Sequence, residues 1–339
     1  MFHDVKKLLG LQAQLSPEQM LEHGRTVLDV EASAITQLAQ ELDDAFPRAV
    51  DLLLATSGRV IVSGMGKSGH IARKMAATFS STGLPAFFVH PGEAAHGDLG
   101  MITPGDVLVA LSNSGATSEL LPIMHHAQHL GCPVIGITSQ SASPMAQIAS
   151  VCLLLPRVRE ACPANISPTT TTTLMLALGD ALAVTVMHAH GISRAQLELL
   201  HPGGSIGSRL MPVDKIMHDG AALPLVSAQA PMQDVLVIMT EKSFGIAGVV
   251  DTDGRLIGTI TDGDLRRKID GLLTRCAGDV MTANPKTIPG GTYAEDAFTI
   301  MTTNRITALF VMDADAPDRP IGILHIHDLN RLGMTPVTQ

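Results

Sequence analysis

Aromatic residues and positive charge are both scarce in this chain, and each shortage argues against nucleic acid as a partner. Trp is absent, Tyr occurs once, and aromatic residues make up 3% of the 339 residues. Proteins that hold single strands stack the bases on aromatic rings and need a basic surface for the phosphates. Here 23 basic residues stand against 32 acidic ones, and the formal net charge is −9 at pH 7. A small anionic substrate in a locally positive pocket stays compatible with this composition.

The sequence also shows no CxxC pair, no pattern typical of a leader segment and no long uninterrupted apolar run. The four cysteines are scattered and form no CxxC pair, so we expect reduced thiols rather than structural zinc or disulfides. Residues 1–4 do not begin a basic segment followed by an apolar core, so no signal peptide is expected. The longest apolar stretch, residues 174–187, is interrupted by Asp180 and is short for a membrane span. We therefore predict a soluble, cytoplasmic protein with no membrane partner.

Apolar residues are abundant, at 45% against 16% charged residues, and the length predicts two or three domains. Residues 17–54 are predicted to form helices, because their apolar positions recur at helical intervals. Short apolar runs then alternate with helix-length segments, which predicts a doubly wound, parallel, five-stranded sheet with ligands at the carboxyl ends of its strands. The predicted strands are residues 59–63, 86–90, 106–111, 133–138 and 151–155. The predicted helices are residues 68–80, 118–130, 144–149 and 168–190, the last starting in a run of threonines.

The last third of the chain contains an internal repeat. Three features recur at an offset of 64 residues: Met217 and Met281, Gly258 and Gly322, and Asp264-Leu265 and Asp328-Leu329. Each copy has a predicted helix and a predicted apolar strand in the same order: 231–240 and 247–250, then 293–302 and 308–312. Two copies with one offset and one order of elements indicate a tandem pair of α+β domains.

A glycine-rich loop follows the first predicted strand. Gly64, Gly66 and Gly69 leave the backbone open to close approach by an anion, and the helix that follows presents its N–H groups there. Lys67 adds a full positive charge, and Ser68 adds a hydroxyl. The loop therefore predicts a phosphate or other anion site.

A dinucleotide-binding loop and a nucleotide P-loop are the two other interpretations of this segment, and the sequence disfavours both. The three glycines satisfy G-x-G-x-x-G, but a dinucleotide fold needs an acidic residue near the end of the next strand, and none occurs before Glu93. A nucleotide P-loop would need its first glycine at position 61, which is Ile61.

A second loop of this kind follows the third predicted strand. Between Ser112 and Glu119 it carries hydroxyl and amide groups that suit phosphate oxygens, although Ser118 is equally a helix cap. Two such loops on one sheet favour a sugar monophosphate over a dinucleotide. The candidate ligands in this loop are Ser112, Asn113, Ser114 and Thr117.

A loop with two histidines and two carboxylates follows the second predicted strand, from His90 to Asp98 and including His96. Such a density suits metal binding or proton transfer, but the spacing matches no metal template, and a satisfied polar loop is as good an interpretation. Glu160 and His201 are isolated and carry no meaning by sequence pattern alone.

These segments resemble a known family. Residues 64–69 and 112–115 resemble the sugar isomerase (SIS) domain, and residues 90–98 and 201–204 are similar to D-arabinose 5-phosphate isomerases. That family carries two cystathionine-β-synthase-type (CBS) domains after its SIS domain, so the resemblance covers the whole chain. It implies a flavodoxin-like SIS domain in residues 1–207 and CBS domains in residues 208–274 and 275–339.

The resemblance also implies an activity, namely interconversion of D-ribulose 5-phosphate and D-arabinose 5-phosphate, which supplies 3-deoxy-octulosonate for lipopolysaccharide or capsule. It implies a homotetramer with no required cofactor. The matching functional positions are Lys67, Glu119, Glu160 and His201. His96 belongs to the substrate pocket, with Gly64, Gly66 and Ser68, and His90 matches a position where zinc can bind and inhibit.

The chain departs from the family pattern at two places. Ala116 stands where an acidic residue is usual after the Ser-Asn-Ser-Gly segment. In the second CBS copy His325 replaces the hydroxyl that Thr261 supplies in the first, whereas Asp264 and Asp328, which could bind a ribose, are both present. We therefore expect an adenylate or nucleotide sugar as the CBS ligand.

The implied reaction needs a group that moves a proton between C1 and C2 of an opened sugar. We take Glu160 or Glu119 as this base, His201 as the group that opens the ring or moves a hydroxyl proton, and Lys67 as the stabiliser of negative charge. A non-catalytic SIS–CBS sensor of sugar phosphates is the alternative. A dehydrogenase is disfavoured by the missing ribose carboxylate, and the residues do not choose between lipopolysaccharide, capsule and sugar-alcohol pathways.

Overall fold

Two helices open the part of the chain that the structure, a computed structural model, describes, which is residues 15–335. They are α1 (Pro17–Glu41) and α2 (Ala45–Leu54), within the segment predicted to be helical. α1 begins with a capping box, because the Ser16 hydroxyl accepts from the Gln19 N–H and the Gln19 side chain accepts from the Ser16 N–H. The expectation about a signal peptide concerns residues 1–4, which lie outside the described residues.

The predicted five-stranded parallel sheet is confirmed. Its order is β2-β1-β3-β4-β5, and every neighbouring pair is parallel. All residues of β1, β3 and β4 are buried, as expected for central strands covered by helices on both faces. The strands are β1 (Val60–Gly64), β2 (Ala86–Phe88), β3 (Val107–Leu111), β4 (Val134–Thr138) and β5 (Val151–Leu154). The helices between them are α3 (Gly66–Ser81), α4 (Pro91–Ala94), α5 (Leu120–His129) and α6 (Pro144–Ile148).

A long helix, α7 (Thr170–Ala189), completes one layer of the sheet together with α1, α2 and α3. It begins inside the threonine run, as predicted. By length and composition it is the one helix among residues 15–335 that could cross a membrane, but half of its apolar window is buried within this unit. Asp180 pairs there with Lys74 of α3. α5 and α6 cover the other face of the sheet.

The chain divides into two compact units, one ending at Ser193 and the other beginning at Arg194. Compactness alone does not define a domain, so the boundaries placed at residues 207/208 and 274/275 stay predictions. The helices of the second unit are α8 (Arg194–Leu200), α9 (Gly204–Leu210), α10 (Met232–Lys242), α11 (Asp262–Arg267), α12 (Ala277–Val280), α13 (Ala294–Asn304) and α14 (Ile326–Arg331). Its strands are β6 (His218–Asp219), β7 (Leu225–Ser227), β8 (Ile246–Val250), β9 (Leu256–Thr261), β10 (Thr282–Ala283), β11 (Thr287–Pro289), β12 (Ala308–Met312) and β13 (Pro320–His325).

The predicted repeat is visible as two four-stranded sheets, β10-β9-β8-β7 and β11-β12-β13-β6. Each copy lends its first strand to the sheet of the other, because β6 pairs with β13 and β10 pairs with β9. The two sheets also pack on each other, and a Cβ on Gly248 would lie 2.7 Å from the Phe310 ring. The two copies therefore form one intertwined module.

Candidate active site at the carboxyl ends of the strands

The sheet order places the two predicted phosphate loops side by side. β1 pairs with β3, and Gly64 at the end of β1 is the register partner of Leu111 at the end of β3. The chain runs outward from β1 to β2 and then returns to β3 on the other side, so the strand order reverses between β1 and β3. In open α/β sheets the ligand crevice lies at this switch point. Both loops open into it.

The glycines of the loop after β1 have distinct physical roles. Gly66 has φ +58, a left-handed conformation that favours glycine. A Cβ on Gly69 would lie 2.6 Å from the Gly64 carbonyl oxygen, so strand and helix approach too closely for a side chain. α3 has no side-chain cap at its N-terminus, which leaves its first N–H groups for an anion. Lys67 is exposed on this turn and makes no hydrogen bond or ion pair with other described residues.

The loop after β3 is a cluster of hydroxyl groups. The Ser112 hydroxyl lies 2.7 Å from the Thr117 hydroxyl and 3.4 Å from that of Ser114, and it accepts from the Gly115 N–H. Gly115 has φ +61, and a Cβ there would lie 2.1 Å from the Ser143 hydroxyl oxygen. The loop can close in this form only with glycine at that position. Hydroxyl groups that reorient easily can donate to a phosphate that enters the crevice.

Asn113 holds the loop after β3 against the end of β4. Its carbonyl oxygen accepts from the Ser139 N–H and from the hydroxyls of Ser139 and Thr138. Its side-chain Oδ1 is buried and is the one buried side-chain N or O atom without a hydrogen-bond partner among the described residues. Leaving such an atom unpaired costs about 1–3 kcal/mol, so Oδ1 is a candidate acceptor for a substrate hydroxyl once the loop opens to admit it.

The histidine-rich loop after β2 lies beside the loop after β1. The Val89 N–H donates to the Val62 carbonyl and the Ser63 hydroxyl donates to the Val89 carbonyl, so β2 delivers His90 to the same edge of the sheet. His90 caps α4, since its Nδ1 accepts from the Gly92 N–H at 3.2 Å. His96 follows α4 and is exposed.

The residues of one chain do not by themselves fit a closed zinc site at His90. Within residues 15–335 no group of three His, Cys, Asp or Glu side chains is placed to hold a metal. His90 offers one ligand atom, its Nε2, because Nδ1 is engaged in the cap. The inhibitory zinc at His90 stays a prediction.

Glu119 lies at the end of the loop after β3, directly before α5. Its side chain is exposed, and the Ser118 hydroxyl donates to Oε2 at 2.9 Å. Its own backbone N–H and the Ser118 hydroxyl hold the pKa of Glu119 below its ordinary value. Oε1 has no partner among the described side chains and stays available to a ligand.

Glu160, by contrast, has both carboxylate oxygens occupied. Oε2 accepts from the Thr169 N–H at 2.7 Å, the Thr169 hydroxyl at 3.2 Å and the Thr171 N–H at 3.3 Å, while Oε1 accepts from the Thr171 hydroxyl at 2.5 Å. Partial burial raises the pKa of Glu160, but these four donors outweigh it, and the pKa lies below its ordinary value. The carboxylate thus caps the N-terminus of α7, where the helix dipole also favours negative charge.

The direction of α7 brings Glu160 to the same end of its layer as Lys67. Gly179 of α7 lies against Met75 of α3. Just beyond the C-terminal ends of the same two helices, Gly83 lies against Ile192. The two helices therefore run in the same direction, and their N-termini share one end. Sequence reasoning did not identify Thr169 and Thr171 as partners of Glu160. The available signal was a carboxylate ten residues before the start of α7.

His201 belongs to the second unit and follows α8. Its Nδ1 lies 2.9 Å from the Leu197 carbonyl oxygen, an arrangement in which Nδ1 carries the proton. The neutral ring then keeps an unshared electron pair on Nε2. His201 is half-buried in this position.

Each of the two predicted ribose carboxylates lies in its own cleft between the CBS copies. Thr261, Asp264 and Arg305 belong to the first cleft, of about 910 Å³, and Asp328 to the second, of about 410 Å³. Asp264 is buried and accepts from the Thr261 N–H and hydroxyl, the Thr282 hydroxyl and Arg267. Burial raises the pKa of Asp264, and these donors lower it further than burial raises it.

Family models match both units of the chain. The SIS domain model matches residues 53–185, and the CBS domain model matches residues 213–271 and 277–334. Both matches agree with the fold and the repeat described above.

Full-length relatives cover nearly the whole chain. Arabinose 5-phosphate isomerase KdsD of Pseudomonas aeruginosa is 45% identical over 318 residues, which are 93% of this chain and 97% of the relative. KdsD of Escherichia coli K12 is 44% identical over 315 residues, 92% of this chain and 95% of the relative. Among solved structures, an E. coli CFT073 protein in complex with arabinose 5-phosphate is 34% identical, covers 56% of this chain and 100% of its own, and superposes with a TM-score of 0.54.

Proposed function

The chain belongs to the arabinose 5-phosphate isomerase family of SIS–CBS proteins, and we propose on that premise that it interconverts D-arabinose 5-phosphate and D-ribulose 5-phosphate. One observation of the molecule carries the proposal. The pairing of Gly64 with Leu111 supports it, because the two candidate anion loops and Lys67 follow strands that flank one switch point. Such a crevice suits one phosphate and a short polar chain, as in a sugar monophosphate.

The isomerisation moves a proton between C1 and C2 of the open-chain sugar through an enediolate. We assign this transfer to Glu119, because its side chain is exposed at the end of the loop after β3 and its Oε1 has no partner among the described side chains. A carboxylate with a lowered pKa is ionised at neutral pH and can accept the proton, although burial by substrate must raise its pKa for efficient transfer. Lys67, which has no competing partner among the described residues, stabilises the negative charge that develops on the enediolate oxygens.

Glu160 acts as a positioning residue in this scheme. Its two oxygens are used by four donors at the start of α7, so it has little capacity left to accept a substrate proton. The carboxylate fixes the loop after β5 to the end of the layer that holds Lys67. Removal of this anchor would disturb the crevice without deleting a reacting group.

His201 is assigned to ring opening or to the hydroxyl proton, as the family resemblance implies. The neutral ring has its free electron pair on Nε2, which allows it to accept a proton from a sugar hydroxyl. The loop hydroxyls of Ser112, Ser114 and Thr117 hold the phosphate, and Asn113 Oδ1 accepts from a sugar hydroxyl.

Purified protein incubated with ribulose 5-phosphate, with arabinose 5-phosphate quantified over time, tests the activity. We expect turnover that persists after exhaustive chelation, since no cofactor is required in this scheme. Addition of zinc is expected to inhibit, and His90→Ala to relieve that inhibition. Tight binding of the sugar phosphate without any conversion would replace the isomerase by a non-catalytic sensor.

The product is proposed to supply 3-deoxy-octulosonate synthesis for lipopolysaccharide or capsule, with the protein soluble in the cytoplasm. Deletion of the coding gene, followed by growth with and without added arabinose 5-phosphate, tests this place in metabolism. A cell that loses no 3-deoxy-octulosonate would point to another pathway or to a second isomerase.

We also propose a homotetramer. Support comes from α1, on which Leu21, Leu28 and Ile35 recur every seven residues and are 61%, 67% and 39% exposed. Such a stripe is suited to packing against other helices. Light scattering measures the molar mass of the wild type and of Leu28→Lys. If the variant has the same mass as the wild type, α1 does not form the interface.

The first cleft is proposed to bind an adenylate or nucleotide sugar. Its lining has four permanent cations, Arg266, Arg267, Lys286 and Arg305, against Asp262 and Asp264. This excess of positive charge suits phosphate groups on an otherwise acidic protein. A thermal-shift series with adenylates and nucleotide sugars tests it, with Lys286→Ala as the variant expected to lose the response.

A further inference from the structure

The two clefts of the CBS module differ at three corresponding positions. The offset of 64 residues that relates the copies pairs Thr261 with His325, Gly263 with His327 and Thr282 with His218. In the first cleft these positions carry hydroxyl groups or no side chain. In the second cleft all three carry histidine.

The three histidines form one cluster around Asp328 and Phe244. His218 Nε2 lies 3.2 Å from Asp328 Oδ2, and the same oxygen accepts from the His325 backbone N–H. The His218 and Phe244 rings are 5.1 Å apart, the Phe244 and His325 rings 6.3 Å, and the His325 and His327 rings 4.8 Å. No such group of three is placed to hold a metal within the described residues. The imidazole rings of the three histidines can instead bind protons.

The permanent charges of the second cleft cancel. Glu241 and Lys242 come from α10, and Asp328 and Arg331 come from α14. The protonation of the histidines therefore decides the sign of the cleft. In the first cleft, by contrast, four permanent cations stand against two carboxylates, so the cleft is positive whether or not the histidines are protonated.

One hydrogen bond favours the neutral form of His325. Its Nδ1 accepts from the His327 backbone N–H at 3.3 Å, and a proton on Nδ1 would break this contact. Burial, followed by His327, lowers the pKa of His325, while Asp328 opposes the shift and His218 adds to it. His325 and His327 also line the first cleft, where they face Asp262, Arg266, Arg267, Lys286 and Arg305. An anion that enters the cleft favours the protonated form of His325, because it compensates the added positive charge.

We propose that the second cleft is an acid-dependent anion site, in which His218, His325 and His327 take up protons together with a small dianion such as a phosphate group. The pair of clefts then has two different dependences on pH. The first has an excess of permanent cations, to which His325 and His327 can only add, so it binds anions at every pH in this range. The second binds them only as its histidines become protonated. Because the three histidines are neighbours, the protons taken up belong to the cluster rather than to one ring.

Sulfate is the probe for this site, because it stays a dianion throughout the range used. Calorimetric titration of the full-length protein with sodium sulfate at pH 8, 7 and 6, at constant ionic strength set with chloride, measures the affinity. Affinity is expected to rise about tenfold for each unit by which the pH falls, per proton taken up, as long as the pH stays above the pKa of the cluster. Repeating the titration in buffers of different ionisation enthalpy counts the protons directly.

Matched variants assign the effect to one cleft. His218→Thr places in the second cleft the residue that the first has at Thr282, and it is expected to remove most of the pH dependence. Lys286→Ala gives the first cleft the residue that the second has at Ala222, and it should leave the pH-dependent binding intact. Ala222→Lys should strengthen binding at pH 8 by adding a permanent charge.

Isomerase turnover and the far-ultraviolet circular dichroism spectrum check that the variants are folded. Three results would each overturn the proposal. They are sulfate binding of equal affinity at pH 8 and 6, no sulfate binding at any of these pH values, and a full pH dependence retained in folded His218→Thr.

Discussion

The loops after β3 and β5 each deliver a glutamate to the carboxyl edge of the same sheet, but they treat it in opposite ways. Glu119 is exposed and receives one side-chain hydrogen bond, from Ser118. Glu160 is partly buried and receives four, from the backbone and hydroxyls of Thr169 and Thr171. The donors around a carboxylate therefore distinguish a group that is free to react from one that holds a helix in place.

Glu119→Gln should have the largest effect on the reaction. Loss of a positioned general base lowers kcat by about 10²–10⁴-fold, whereas stability should hardly change because the side chain is exposed. Steady-state kinetics and thermal unfolding measure both. Glu93→Gln, which changes an exposed carboxylate of α4 after β2, is the control and should stay within about twofold of the wild type. Near-normal turnover of Glu119→Gln would reverse the assignment of the two glutamates.

Gly115→Ala should have the largest effect on stability. A side chain there meets the Ser143 hydroxyl and must adopt φ +61, which costs about 2–4 kcal/mol. The hydroxyl cluster should loosen, and KM should rise. Gly66→Ala is the matched control, because φ is +58 but no atom lies within 4 Å of the added Cβ. If both variants unfold at the same temperature, crowding by Ser143 is not what fixes the loop.

Glu160→Gln should lower both stability and activity. The loss of activity should be smaller than for Glu119→Gln, and the loss of stability smaller than for Gly115→Ala. Weakening of the cap on α7 costs about 1–2 kcal/mol, and displacement of the loop should lower kcat by about tenfold. The acidic limb of the pH–rate profile should keep its position, because Glu160 is not the reacting group.

Thr171→Val removes one donor to Glu160 and tests the same contact from the other side. In the Glu160→Gln background it should add little, since the two residues share one interaction. A kcat loss for Glu160→Gln as large as that of Glu119→Gln, with unchanged stability, would make Glu160 the reacting carboxylate.

The smallest effect is the pH dependence of stability. The pKa of Glu160 is lower in the folded protein than its ordinary value of 4.5, so its contribution is present above that pH and is lost as the pH falls through the folded pKa. The difference in unfolding free energy between wild type and Glu160→Gln should therefore shrink below about pH 4.5. Urea unfolding at pH 7, 5 and 4 measures it, and a constant difference would contradict the cap.

The two clefts of the CBS module also show corresponding positions with different chemistry. At corresponding positions the first has Thr261 and the second has His325. The 64-residue repeat was visible in the sequence, but the exchange of β6 and β10 between the sheets was not. Short strands of two residues have no periodicity to read, and their pairing is set by the partner copy.

Local chemistry in the sequence was sufficient for the β-α alternation, the position of the two glycine- and hydroxyl-rich loops and the start of α7 in the threonine run. These features depend on burial patterns and glycine positions that act over a few residues. Tertiary structure decided that the loops after β1 and β3 are neighbours, that Thr169 and Thr171 saturate Glu160, and that Asn113 Oδ1 is buried without a partner. The physical reason is that a hydrogen bond or an unpaired atom depends on which segments meet in space, and spacing along the chain does not contain that information.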